Sequence, residues 1–85
     1  MAATDDDILE AIRAEATAMA PHLDPARLRP EAHITEVGID SVQMLELVAR
    51  LEERFDLTMS DDELSGVESV ADLTRLVVRA QAEVP

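Results

Sequence analysis

The sequence predicts an all-α fold of three longer helices and one short helix, with a long structured first loop. Three observations carry this. Apolar residues recur at three- and four-residue steps in three separate stretches. No stretch alternates apolar and polar residues as a strand would, and no internal repeat or low-complexity tract is present. Of the 85 residues 47% are hydrophobic, yet Phe55 is the one aromatic. The core must therefore be built from Leu, Val, Ile, Met and Ala, which suits helices packing on helices. A chain of this length makes one domain, 1–85, with its core at about 5–82, and leaves no room for a second catalytic domain.

The first helix is expected from about Asp5 to Ala20. Ile8, Ile12, Ala16 and Met19 keep the helical period, and Asp5, Asp6 and Asp7 in the first turn complement the helix dipole. Pro21 ends it. From Pro21 to Ile39 the chain reads as a loop, with Pro21, Pro25, Pro30 and Gly38 and little periodicity. Leu23, Leu28 and Ile34 are spaced to pin it onto a core. A loop this long in a small domain is often functional.

The second helix should run from Ser41 to about Phe55, with Asp40 as N-cap and Gln43 completing a capping box. Met44, Leu47, Val48, Leu51 and Phe55 fall on one face, as a core-facing helix requires. Val42, Leu45 and Ala49 fall on another, flanked by Glu46, Glu52 and Glu53, and one buried stripe does not account for them. Ser60 to about Leu64 reads as a short helical turn with a Ser60–Glu63 capping pattern, and Gly66 is a natural stop. Ser69 then caps a last helix from Val70 to about Ala82, in which Val70, Leu73, Val77 and Ala80 share a face beside Leu76.

Charge excludes several function classes. Nineteen acidic residues face seven arginines with no lysine, a net −12. Such a surface repels nucleic acid phosphates and anionic membranes and favours partners with basic patches. With no cysteine, disulfides, Cys-based metal sites and thiol nucleophiles are excluded. The acidic N-terminus lacks a signal-peptide pattern, and no apolar run has the length of a membrane span. A cytoplasmic location is the expectation.

The candidate site is Glu36-Val37-Gly38-Ile39-Asp40-Ser41-Val42. It offers a hydroxyl at the start of a helix, after a glycine-bearing turn and beside a carboxylate. Free N–H groups at a helix start favour a nearby phosphate. On the residues alone, Ser41 reads first as a good helix-starting residue, with modification by another enzyme as the lesser alternative.

The segment resembles the acyl and peptidyl carrier proteins. Their Gly-x-Asp-Ser-(Leu/Val) turn stands here as Gly38-Ile39-Asp40-Ser41-Val42, followed by Glu46-Leu47-Val48, Leu51-Glu52-Glu53 and Phe55. Leu23-Asp24-Pro25 through Leu28-Arg29-Pro30, and Glu68-Ser69-Val70-Ala71-Asp72-Leu73, look like the family too. The resemblance covers about Asp5 to Ala82. It implies a four-helix bundle forming a single carrier domain. It implies that a phosphopantetheinyl transferase uses coenzyme A and magnesium to attach a 4'-phosphopantetheine arm to Ser41, with Asp40 and Gly38 completing the cofactor-binding set. The arm's thiol would hold acyl groups as thioesters, and the carrier itself would catalyse nothing.

By position, the resemblance assigns Val42, Leu45, Glu46, Ala49, Glu52 and Glu53 to partner docking. The plainer alternative is exposed hydrophobes on a solvated acidic face. Expected partners are the transferase and acyltransferases, synthases or ligases with basic docking patches, the chain alone being a monomer. Val37 and Val42 stand where leucines are more typical, and Arg50 and Arg54 interrupt a helix that is usually acidic. Arg50 would repel a basic partner or pair with a specific acid. The atypical helix, with arginine and no lysine, points to polyketide or related specialised biosynthesis rather than primary fatty acid synthesis. A peptidyl or aminoacyl carrier is the close alternative, and an unmodified acidic helical adaptor a second.

Other chemistries fit less well. His22 and His33 lack a metal-ligand spacing and read as surface loop residues. A Ser-His-Asp hydrolase would need a Gly-x-Ser-x-Gly elbow and more chain. Gly38 and Gly66 do not make a phosphate loop, and Asp61-Asp62-Glu63 lacks the pattern of a calcium loop.

Overall fold

Helix α1 (Asp5–Met19) begins at a reciprocal cap. Thr4 Oγ1 accepts from the Asp7 N–H at 3.2 Å, and the Asp7 carboxylate accepts from the Thr4 N–H at 3.1 Å. The helix stops one residue before the expected end, because Ala20 leaves helical geometry ahead of Pro21. The computed structural model describes residues 3–82.

The first loop is more ordered than its composition suggests. Pro25–Arg27 forms one 3-10 turn, capped by Asp24, whose carboxylate accepts from the Ala26 N–H at 3.0 Å. Proline at the first position and aspartate before it are the signals that build such a turn. Leu23, Leu28, Ile34 and Ile39 are buried along the loop, so it is part of the core.

Helix α2 (Ser41–Phe55) has the expected Asp40–Gln43 capping box with both bonds made, and ends at Asp56 in left-handed geometry. Leu47, Val48 and Leu51 are buried, while Met44 and Phe55 are half-buried against the same core. Helix α3 (Asp61–Leu64) is a single turn. Its cap differs slightly from the expected box. Ser60 Oγ accepts from the Glu63 N–H, but the Glu63 carboxylate takes the Ser60 hydroxyl rather than the Ser60 N–H.

Helix α4 (Val70–Ala82) buries Val70, Leu73, Leu76, Val77 and Ala80. A helix start leaves N–H groups without intrahelical partners. Here the first loop supplies two of them. The Val70 N–H donates to the Ala32 carbonyl at 3.0 Å and the Ala71 N–H to the Pro30 carbonyl at 2.8 Å. The Asp72 N–H goes to Ser69 Oγ. The Ile34 N–H donates back to the Glu68 carbonyl at 2.9 Å. Loop and helix start are thus one hydrogen-bonded unit.

The result is the expected all-α four-helix bundle. α1 packs on both α2 and α4, and α3 packs on α4. Ile8, Ile12, Leu47, Leu51, Leu73 and Val77 form its centre and are almost wholly shielded from solvent. Among the described residues, no helix is long and apolar enough to cross a membrane.

Candidate functional site

The turn before α2 is built by three successive hydrogen bonds. The Val37 N–H donates to the His33 carbonyl, the Gly38 N–H to Thr35, and the Ile39 N–H to Ile34, at 3.2–3.3 Å. Gly38 has φ +96°, a conformation that costs residues with a Cβ. Ile39 is 2% exposed and anchors the turn. Asp40 is held outward as N-cap, its Oδ1 taking the Gln43 N–H at 2.8 Å.

Ser41 follows as the first residue of α2 and is exposed. Helical geometry gives the N–H groups of Ser41 and Val42 no partner within the helix, and they point with the dipole toward the helix start. Ser41 also lines a cleft of about 410 Å³ between the first loop, α2 and the α3 region. Ile39, Met44, Leu64 and Val67 give this cleft apolar walls, and His33, Thr35 and Glu68 add polar groups. A larger groove of about 700 Å³ lies between α3, α4 and Asp5, and Ser41 is not among its lining residues. The Ser41 cleft differs from that groove in having an exposed hydroxyl at a helix start on its edge.

Beyond the serine, α2 presents Val42 and Leu45 to solvent at 74% and 66% exposure. Glu46, Ala49 and Glu53 are exposed on the same side. Glu52 is different. It is half-buried, and its carboxylate accepts from the Met59 N–H at 2.9 Å. Arg50 and Arg54 both reach Glu15 on α1, and Arg50 Nε lies 3.8 Å from Glu46. Glu15 lies 35 residues before Arg50. No local pattern in the sequence pointed to it.

Asp72 was also missed as a structural acid. Its carboxylate accepts from the N–H groups of Ser69 and Glu68, each at 3.1 Å. Those two backbone bonds hold its pKa down at about 2, helped by the Ser69 hydroxyl and Arg75. The signal was present, since Asp72 stands three residues after Ser69 as in a capping box. Among the described residues, no three His, Asp or Glu side chains gather as a metal site would require. His22 and His33 are not brought into such a group.

A family model for the phosphopantetheine attachment site matches residues 7–77. The chain belongs to this family. The family's cofactor is 4'-phosphopantetheine, covalently attached, and the residues present fit it: an exposed hydroxyl, free helix-start N–H groups and an adjoining cleft. Among curated relatives, the meromycolate extension acyl carrier protein of Mycolicibacterium smegmatis is 27% identical over all of this chain and 86% of its own length. An acyl carrier protein homolog of Mycoplasmopsis pulmonis is 37% identical over 60% of this chain and 70% of its own. Among solved structures, hexanoyl ACP from the actinorhodin polyketide synthase of Streptomyces coelicolor superposes with a TM-score of 0.77 at 28% identity, covering 96% of this chain and 94% of that one. The 3,7-dioxo-octyl form gives a TM-score of 0.72 at 29% identity, covering 94% and 92%. The carrier fold and the family's prosthetic group thus agree with the expectation from sequence.

Proposed function

We propose that Ser41 bears the 4'-phosphopantetheine arm and that the chain carries acyl intermediates of a polyketide or related specialised pathway. One observation supports the attachment point above others. Ser41 is the exposed hydroxyl at the first position of α2, held there by the Gly38–Asp40 turn at the edge of an apolar cleft. When attached, the arm supplies a thiol that holds an acyl group as a thioester.

The chain's own residues bind, orient and present. Asp40 and Gln43 fix the helix start, so the Ser41 hydroxyl keeps one position toward an incoming transferase. In the transfer, Ser41 Oγ forms the new bond to phosphorus of coenzyme A and its proton leaves to the transferase, while the nucleotide bisphosphate departs. The free N–H groups of Ser41 and Val42 favour the resulting phosphodiester. Ile39, Met44, Leu64 and Val67 offer an apolar surface to the first part of a cargo.

Val42 and Leu45 serve as apolar anchors for partner enzymes, with Glu46 and Glu53 on the charged rim. Expected partners are synthases and acyltransferases with basic patches, the carrier contributing no catalytic group. The acyl reading is favoured over the aminoacyl one by the relatives, which are acyl carriers. The test is the intact mass after incubation with coenzyme A, magnesium and a broad-specificity phosphopantetheinyl transferase. The parent should gain one phosphopantetheinyl group and Ser41→Ala none. A parent that gains nothing while a known carrier is modified in parallel would leave the adaptor reading in its place.

A further inference from the structure

Two arginines of α2 share one glutamate of α1. Arg54 Nη1 lies 3.1 Å from Glu15 Oε2, and Arg50 Nη1 lies 3.3 Å from Glu15 Oε1. Each carboxylate oxygen therefore holds one guanidinium. Glu15 is the inner member, its side chain 21% exposed against 38% for Arg50 and 45% for Arg54. A guanidinium has five N–H donors in a rigid plane. Glu15 takes one from each, and Arg50 Nε adds a longer contact to Glu46 at 3.8 Å. Donors remain on the solvent side of both arginines.

Arg50 sits where this matters. It follows the exposed Ala49 directly and Glu46 by one turn, so it stands at the rim of the face that carries Val42 and Leu45. Arg54 lies further round, toward α1. Stability is not a sufficient reason for the cluster, because partly exposed ion pairs contribute little to folding. Ile8, Ile12, Leu47 and Leu51 supply the buried apolar contact between the two helices. The cluster instead changes what a partner meets. Glu46 is already faced by a cation of its own chain, and a fixed positive group interrupts the acidic rim.

We propose that Arg50 is a specificity-determining residue of the docking face, held in place by Glu15, which weakens docking of uniformly basic partners and fits a protein partner presenting a carboxylate opposite it. The net charge of −12 draws basic partners at long range regardless of fit. Discrimination must then come at contact, where like charges brought together are costly. This rests on the carrier reading above.

The experiment uses the full chain and, as probe, a phosphopantetheinyl transferase with a basic docking patch. Parent, Arg50→Gln, Arg50→Glu and Arg27→Glu chains are compared. Arg27 is exposed in the first loop, off the α2 face, and its reversal changes net charge equally. At low salt, Arg50→Glu should raise kcat/KM roughly fivefold over Arg27→Glu, mostly through KM, with Arg50→Gln in between and the gain fading at high salt. A transferase in which a patch lysine or arginine is replaced by glutamate should reverse the order and prefer the parent. Equal gains from Arg50→Glu and Arg27→Glu, or no gain from Arg50→Gln in a folded chain, would overturn the inference. A parent that takes no arm at all would instead defeat the carrier reading.

Discussion

The carboxylate of Glu52 accepts a hydrogen bond from the backbone N–H of Met59 across the turn that joins α2 to α3. α2 ends at Asp56 in left-handed geometry, and Leu57 and Met59 then turn inward and are buried. α3 is only one turn long and buries no residue of its own. A helix that short does not stand by itself. Its place beside the Ser41 cleft depends on the Glu52 bond, the buried Leu57 and Met59, and the Arg79–Glu63 contact to α4 at 3.8 Å.

Removing that acceptor should loosen α3 selectively. Glu52→Ala should cost about 1–3 kcal/mol, the penalty of leaving a part-buried N–H without its charged partner. Amide hydrogen exchange should speed up at Met59 while α1 and α4 stay protected. Glu52→Gln keeps an acceptor oxygen and should retain most of the protection. Urea unfolding and site-resolved exchange check both.

Asp72 gives a pH signature with a definite sign. Its folded pKa of about 2 lies below the ordinary aspartate value of 3.8. The bonds to Glu68 and Ser69 therefore add stability that is complete above about 3.8 and is lost as pH falls toward about 2. Asp72→Asn should flatten the acid limb of stability in that window and leave its shape near neutrality alone. Denaturant midpoints measured from pH 5 down through this range are the check.

Gly38→Ala should destabilise the turn ahead of Ser41 by about 1–2 kcal/mol, the cost of left-handed geometry for a residue with a Cβ. Crowding is not the cause, since the new Cβ would meet only Leu23 Cδ2, at an ordinary 3.5 Å. Thermal unfolding measures the cost.

The first loop should behave as core. Leu28 is 1% exposed, and Leu28→Ala should cost about 2–5 kcal/mol, as for a buried helix residue. Leu45→Ala, at an exposed position, should stay within about 0.5 kcal/mol of the parent, yet lower kcat/KM for the transferase. Urea unfolding and modification kinetics on the same samples separate the two effects.

The helices were legible because their signals are local. Asp40 and Gln43 mark the start of α2, Ser69 that of α4, and the 3.6-residue period selects Leu47, Val48 and Leu51 as inward-facing. The exposed Val42 and Leu45 were legible as a stripe that the core could not use. Other features had no local sign. The carbonyls of Pro30 and Ala32 serve the start of α4, but a backbone acceptor leaves no mark on residue identity. The Glu15 clamp on Arg50 and Arg54 exists only once α1 lies beside α2. The 3-10 turn at Pro25–Arg27 had its Asp-Pro signal, yet one turn is too short to show a period. Glu52 was grouped with the docking acids because the resemblance assigns it there by position, next to Glu53. Its bond to Met59 depends on how the chain reverses after Asp56.

The attachment of the arm to Ser41 is tested most directly by locating the modification. Ser41 is the only serine between Arg27 and Arg50, whereas Ser60, Ser65 and Ser69 all lie between Arg54 and Arg75. After treatment with coenzyme A and a broad-specificity transferase, cleavage at arginine separates the two groups for fragmentation mass spectrometry. The phosphopantetheinyl group should be released only from the fragment ending at Arg50. Its release from the fragment ending at Arg75, or an unmodified chain beside a modified control carrier, would contradict the account.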